Sequence, residues 1–522
     1  MALATVALIA PLLLAGCGRS GSGSAAGSHR GSASGAHSAS QNGPVTAQAN
    51  VSATIAPSEL LTIGQPKPVQ PIRPGFVGLS LEYTAIEPYA GTDPSAVNPV
   101  LVQLIRNLAP GQAPVLRIGG DTTDWTWVPV SDMSRPRGIR YALNTRWLNV
   151  TRALTRALGV RLIMGLDLEA NSLRLASAEA QVFETTFGRR AIEALEPGNE
   201  PELYGSWAWY LANGIPVAGR PADWDFSAYT QNFSSVARTL HALPIAGPST
   251  GSDKWIAYLS PFLHDELRVS LATLHRYPLQ ACYTPLSSPK YPTIAHLLSP
   301  SASLGLASSV AGNVAVAHAH HVQLRIDEIN TNSCGSAPQV TGTFASALWA
   351  LDTMFALANV GIDGVNVHTY PLADYRLFNF RQSAGSWQGR VQPEYYGLMM
   401  FALAAPPGSR PLRLSGPGKA GLRTWATSGP DGRVRTVLID DSATRARTVV
   451  IRSTTNRPAT LIRLQAPSLS SSHGITLAGQ SFGSTTSTGL LAGTERTITI
   501  KPASGVYSVY VPPASAALLT LP

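Results

Sequence analysis

The chain holds 522 residues, 44% apolar and only 13% charged, a balance that supports a sizeable core and excludes a solvated disordered chain. Lys and Arg outnumber Asp and Glu by 39 to 30, giving a net charge of +9. No run of five like charges occurs, which argues against nucleic acid as a partner. Three cysteines, Cys17, Cys282 and Cys334, are too few for a disulfide scaffold or a Cys-rich zinc site.

In chain order, the apolar run 2–14 leads to Leu14-Ala15-Gly16-Cys17. The run is too short to span a bilayer and resembles a bacterial lipoprotein signal, so export and lipidation at Cys17 are expected. A membrane partner is then expected only through that anchor. Twenty of the next 26 residues (18–43) are Gly, Ser or Ala, a composition expected to form a tether. Residues 51–55 alternate like a lone strand, and a Pro-rich connector follows.

Eight short apolar runs then alternate with segments of helical period. The predicted strands are 76–83, 115–121, 161–169, 192–200, 244–250, 272–278, 322–330 and 362–370. Predicted helices are 95–108, 147–158, 226–243, 255–267, 344–360 and 395–403; in the first, Val97, Leu101, Leu104, Ile105 and Leu108 form one stripe. Eight such units predict an α/β (β/α)₈ TIM barrel. An open doubly wound sheet is the alternative, but the chain lacks the GxGxxG turn of its dinucleotide version. After Pro406 only short β-type runs remain: 436–440, 448–453, 459–464, 496–501 and 506–511. They predict a C-terminal β-sandwich completed by the N-terminal strand. The expected organisation is signal 1–17, linker 18–50, N-terminal strand 51–70, barrel 71–404 and β-sandwich 405–522.

Chemistry in such a barrel sits at the C-terminal strand ends. Those ends carry Glu82, Arg117, Asp121, Asp167, Glu169, Asn199, Glu200, His275, Tyr277, Glu328, Asn330, His368 and Tyr370. Buried polar groups must pair, so this convergence marks a polar pocket. Glu200 and Glu328 close the fourth and seventh strands, which face each other across the mouth. Two carboxyls flanking one bond are what glycoside hydrolysis requires. Arg117 is expected to be a buried partner of Glu200 or Glu82.

Gly198-Asn199-Glu200-Pro201 and Ile326-Asp327-Glu328 resemble the acid/base and nucleophile motifs of retaining (β/α)₈ glycosidases. The stretch Leu116-Arg117-Ile118-Gly119-Gly120-Asp121-Thr122-Thr123-Asp124, residues 76–83 and the sandwich resemble glycoside hydrolase family 79, which holds bacterial β-glucuronidases and heparanases. The resemblance implies Glu200 as acid/base, Glu328 as nucleophile, Asn199 on the sugar 2-hydroxyl, and Tyr277 bonded to the nucleophile. It implies a carbohydrate substrate and no cofactor. Family glucuronidases hold the sugar carboxylate with tyrosines and backbone N–H groups just after the nucleophile strand. Here that segment is Asn332-Ser333-Cys334-Gly335, without a tyrosine, so Ser333 and Gly335 would act with Tyr370 or Tyr375. Glu82 and Asp121 complete the predicted sugar-binding set, and Arg117 joins Tyr277 in orienting the nucleophile. A neutral glycoside substrate and a non-catalytic carbohydrate-binding lipoprotein are the alternatives.

Other residues read less specifically. His318-Ala319-His320-His321 lies before the seventh strand and is expected to be solvated surface, with no metal. Asp121 and Asp124 bind sugar hydroxyls or cap a turn. Trp125 and Trp127 form a stacking wall or pack the core. Cys282 and Cys334 follow neighbouring strands on one barrel face, so they are expected to form a disulfide.

Overall fold

The computed structural model describes residues 60–240, 243–416 and 421–522. The signal with Cys17, the linker and the strand expected at 51–55 lie outside these residues. Eight parallel strands close a barrel. They are Val77–Glu82, Val115–Gly119, Arg161–Leu166, Ile192–Pro197, Ile245–Thr250, Val269–Arg276, Gln323–Ile329 and Gly364–His368. The last pairs with the first, Val365 opposite Val77. These strands are buried on both faces, as a helix-wrapped parallel sheet must be, and so read as near-continuous apolar runs.

The helices follow local chemistry. Pro99–Leu108 starts at Asn98, whose side chain accepts from the Val100 and Leu101 amides, with Pro99 in the first turn. The predicted start at residue 95 was therefore early. The helix expected over 255–267 is two short pieces, Asp253–Ile256 and Leu259–Asp265. Two further helices, Leu173–Phe187 and Leu306–Ala319, have no counterpart in the sequence reading. Phe344–Val360 is buried almost all round, because the β-domain covers the side that other barrel helices turn to water. Trp425 of that domain stacks on Phe355 at 5.9 Å and donates to Asp352 at 2.7 Å.

The C-terminal domain is one ten-stranded, mostly antiparallel sheet, nine strands forming a continuous path and the tenth pairing beside it. Its two ends share a core that includes Leu438, Leu461 and Leu519 from one end and Val449, Ile451 and Val509 from the other, so the sheet curls over itself as a sandwich. Leu60–Pro66 is a central strand, antiparallel to Arg410–Ser415 and parallel to Arg447–Arg452. Arg410–Ser415, Leu422–Ser428 and Ser515–Leu521 add strands that the sequence reading did not separate. No helix among the described residues is long and apolar enough to cross a membrane.

Candidate active site

The fourth barrel strand ends in a tight turn that aims the acid. Gly198 has φ 87°, and a Cβ there would meet the Tyr204 hydroxyl at 2.6 Å. Glu200 itself has φ 44°, a left-handed conformation that costs a non-glycine residue about 1 kcal/mol or more. Its amide donates to Ser249 O of the fifth strand at 2.9 Å, which holds the turn against the barrel.

Asp124 is the hub behind this turn. One carboxylate oxygen accepts from the Leu168 and Glu169 amides at 2.9 and 3.1 Å. The other accepts from the Asn199 amide at 3.1 Å and the Tyr204 hydroxyl at 2.7 Å. Asp124 is thus neither a sugar ligand nor a helix cap; it ties the third and fourth strand ends together. Trp127 packs with Ile139, Leu175 and Trp209, whereas Trp125 lines the cleft beside Glu200 with Arg140 over its ring at 4.0 Å.

Arg117 corrects the sequence expectation most clearly. It pairs with neither Glu200 nor Glu82. Fully buried, it reaches Glu196 at 2.7 Å, Asp327 at 3.0 Å and Glu328 at 2.6 Å. The same guanidinium donates to Asn199 Oδ1 at 2.9 Å and Ser249 Oγ at 3.2 Å. One planar fork therefore sets the Glu328 carboxylate and the Asn199 amide in a common frame. Burial pushes Asp327 well above the usual carboxyl range, with the Glu196 charge beside it, while Arg117 and a hydrogen bond from Asp327 draw Glu196 down.

Glu328 accepts from the Tyr277 hydroxyl at 2.8 Å on its other oxygen. Burial alone would raise its carboxyl. The His368, His275 and Arg117 charges and the Tyr277 bond outweigh burial and hold it far below the usual range, so it is ionised. His275 bonds Glu200 Oε1 at 3.0 Å. Burial opposes its charge, but Glu328, Asp327 and the bond to Glu200 push it up to about 9. Carboxyl oxygens of Glu200 and Glu328 lie within 4.8 Å of each other and of a His275 nitrogen. Such a trio could in principle take a cation. Arg117, however, already neutralises Glu328 at 2.6 Å.

The residues expected to bind sugar, Glu82, Asp121, Tyr370 and Tyr375, lie around Glu328, and each is within electrostatic reach of another member of the set. Glu82 accepts from the Thr122 amide at 2.9 Å and from its hydroxyl, and faces His368 at 3.3 Å. Asp121 is exposed at the cleft; enclosure by the strand ends and the Glu82, Glu200 and Glu328 charges raise its carboxyl. Tyr375 stands 6.2 Å from Tyr277 and 6.1 Å from Tyr370 between ring centres. Burial holds Tyr370 up at about 12, leaving its hydroxyl a donor. Asn330 braces this set by donating to His368 O at 2.9 Å.

Cys282 and Cys334 form a disulfide with Cα atoms 5.6 Å apart. Backbone bonds flank it, Ala281 N to Cys334 O and Ser333 N to Leu279 O, both 3.0 Å. The Ser333 amide is therefore engaged inside the strap, contrary to its expected place on the sugar. Gly335 O accepts from Asn332 Nδ2 at 3.0 Å. Thiol labelling of the denatured, unreduced protein should leave both cysteines unmodified. Reduction should cost up to about 4 kcal/mol of stability, since the bridge closes a loop of 52 residues. At the opposite barrel end, His318 is not simply solvated: its Nε2 lies 2.8 Å from Asp363.

These shifts set a pH dependence. His275 titrates at about 9 when folded against an ordinary 6.5, so its contribution is complete below 6.5 and lost as pH rises through 9. Burial also raises Glu179 to about 8 and Glu169 to about 9. Each keeps a proton that the unfolded chain releases, which again lowers stability as pH rises. The melting temperature should fall steadily from pH 6.5 to 9. A flat profile would contradict these assignments.

Residues 422–518 match the profile of the Glycosyl hydrolase family 79 C-terminal beta domain. The chain is 22% identical over 400 residues to a β-glucuronidase of Neurospora crassa, covering 69% of this chain and 68% of that protein. Among solved structures it resembles a 4-O-α-L-rhamnosyl-β-D-glucuronidase from Fusarium oxysporum (TM-score 0.68, 18% identity, 88% of this chain and 100% of that one). It also resembles a family 51 arabinofuranosidase from Xanthomonas axonopodis pv. citri (TM-score 0.63, 15% identity, 89% and 99%). At these identities the structural likeness concerns the barrel-plus-β-domain fold.

Proposed function

We propose that this chain, a retaining glycoside hydrolase of family 79, is a β-glucuronidase in which Glu200 is the acid/base and Glu328 the nucleophile. The observation that carries the reading is the carboxyl pair, with oxygens within 4.8 Å. Carboxyls whose nearest oxygens are this close can flank one glycosidic bond, as the retaining spacing of about 5–5.5 Å requires. Glu328, ionised and aimed by Tyr277 and Arg117, attacks the anomeric carbon. Glu200 gives its proton to the leaving oxygen as that bond breaks. The glycosyl ester on Glu328 then breaks when Glu200, now a base, takes a proton from water attacking the same carbon. Two inversions give net retention.

The likeness to two β-glucuronidases supports the choice of sugar. Tyr370 and Tyr375 supply donors for a sugar carboxylate, Tyr277 being committed to Glu328. A neutral sugar is the second reading, favoured by the engaged Ser333 amide. A panel of aryl β-glycosides separates them: release from the glucuronide alone supports the first, release from glucoside or xyloside the second.

We also infer export and lipid anchoring at Cys17, on the apolar run and Leu14-Ala15-Gly16-Cys17. Replacing Cys17→Ala should move the protein out of the membrane fraction; unchanged fractionation would contradict the anchor.

A further inference from the structure

Seventeen consecutive residues, 203–219, carry no charge, although they lie on the loop after Glu200 and much of that loop is open to water. Within them, Tyr210–Ala212 and Ile215–Val217 form a two-stranded hairpin, Ala212 opposite Ile215. Asn213 and Gly214 turn its tip with φ 52° and 80°, the paired left-handed residues that a tight hairpin needs. Successive strand residues point to opposite sides, so Leu211 and Ile215 leave the ribbon on different faces. Both are exposed, at 62 and 67%, so the barrel covers neither face of the tip.

Apolar exposure continues around the barrel mouth. Of the six most exposed large apolar side chains among the described residues, five follow C-terminal strand ends. Leu211 and Ile215 come after the fourth strand, Tyr283 and Leu286 after the sixth, and Leu372 after the eighth. Trp207, half-exposed, joins them and meets Tyr283 edge to face with ring centres 6.5 Å apart. Tyr283 follows Cys282, so the disulfide holds this side of the rim. Lys254 and Lys290 line the same cleft as the two rings. Asp253, beside Lys254 in sequence, is paired with Arg276 instead, at 2.7 Å.

We propose that the rim of the barrel mouth docks on a lipid bilayer. The hairpin tip, Tyr283, Leu286 and Leu372 enter the headgroup boundary, and Lys254 and Lys290 meet anionic headgroups. Single apolar side chains are ordinary on a protein surface, but a run of them rimmed by polar groups marks a partner. Trp and Tyr rings beside lysines suit the boundary between hydrocarbon and water. The chain can bring a bilayer within reach: the 42 residues 18–59 separate Cys17 from the first described strand. That length spans at most about 150 Å, several times the roughly 30 Å of a small domain. The inference goes beyond the glycosidase reading, and its test needs neither turnover nor lipid on Cys17.

A nitroxide is attached to the Cys17→Ala/Ile215→Cys chain, whose other two cysteines are bridged, and vesicles of mixed phosphatidylcholine and phosphatidylglycerol are added. Access of the label to a water-soluble nickel complex should fall at least about fivefold, because polar solutes are excluded from hydrocarbon. A label on the Cys17→Ala/Leu267→Cys chain should stay open, since Leu267 is exposed just before the sixth strand, at the opposite barrel end. On phosphatidylcholine alone, protection should need several-fold more lipid, each lysine near an anionic surface being worth about fivefold. A label at 215 equally open with and without vesicles would overturn the proposal. So would protection already present without vesicles, which a second copy of the chain would give, equal protection at 267, or the same lipid requirement on neutral vesicles.

Discussion

Replacing Glu328→Gln should lower turnover by on the order of 10⁴-fold or more while leaving a folded protein. The amide keeps the size of the carboxylate and can still accept from the Tyr277 hydroxyl, 2.8 Å away in the native site. It cannot form the glycosyl ester. Glu200→Gln should behave differently: substrates with good leaving groups need little acid help and should lose least. Assay of both variants on leaving groups of graded acidity checks this. A Glu328→Gln enzyme with near-native turnover would remove the nucleophile assignment.

The second large effect concerns Arg117. Its single guanidinium meets three buried carboxyls, Glu196, Asp327 and Glu328, at 2.6–3.0 Å. Arg117→Met would leave that charge uncompensated, and breaking a buried ion pair from one side typically costs about 3–5 kcal/mol. Chemical denaturation should show a loss of this size. Activity should fall too, because the nucleophile would lose one of the charges that keep it ionised and Asn199 would lose its anchor. Arg117→Lys should recover more stability than activity: an ammonium restores charge but cannot hold Glu328, Glu196 and Asn199 in one plane. Equal stability in Arg117→Met and the native protein would contradict the charge network.

The barrel was legible because its strands are short apolar runs that end in polar residues, a pattern set by burial on both faces below a solvated mouth. Helix limits were less legible. Phe344–Val360 matched its predicted bounds even though it shows no polar face, whereas Leu306–Ala319, rich in small apolar residues, has no strong stripe to read. Glu200, Glu328, Asn199 and Tyr277 could be listed from strand ends, and the family resemblance supplied the roles proposed for them. Three features could not. Glu196 looked like a strand residue, since an acid inside an apolar run reveals its partner only once the barrel closes. Asp124 looked like a sugar ligand or a cap because its four donors come from segments 44 to 80 residues away. His275 was visible at a strand end, but its link to Glu200 depends on the fifth and sixth strands lying side by side. In each case the missing information was a contact between strands, not a local preference.

The central claim is double displacement through Glu328. It is tested most directly by incubating the enzyme with a 2-deoxy-2-fluoro-β-glucuronide carrying a good leaving group, then digesting it for mass spectrometry. The fluorine slows the breakdown of the glycosyl-enzyme by destabilising its oxocarbenium-like transition state. The account predicts one added fluoroglucuronosyl group, on the peptide containing Glu328 and absent from the Glu328→Gln variant. Turnover of the unmodified glucuronide with no adduct in the trapping experiment, or an adduct on another carboxylate, would contradict it.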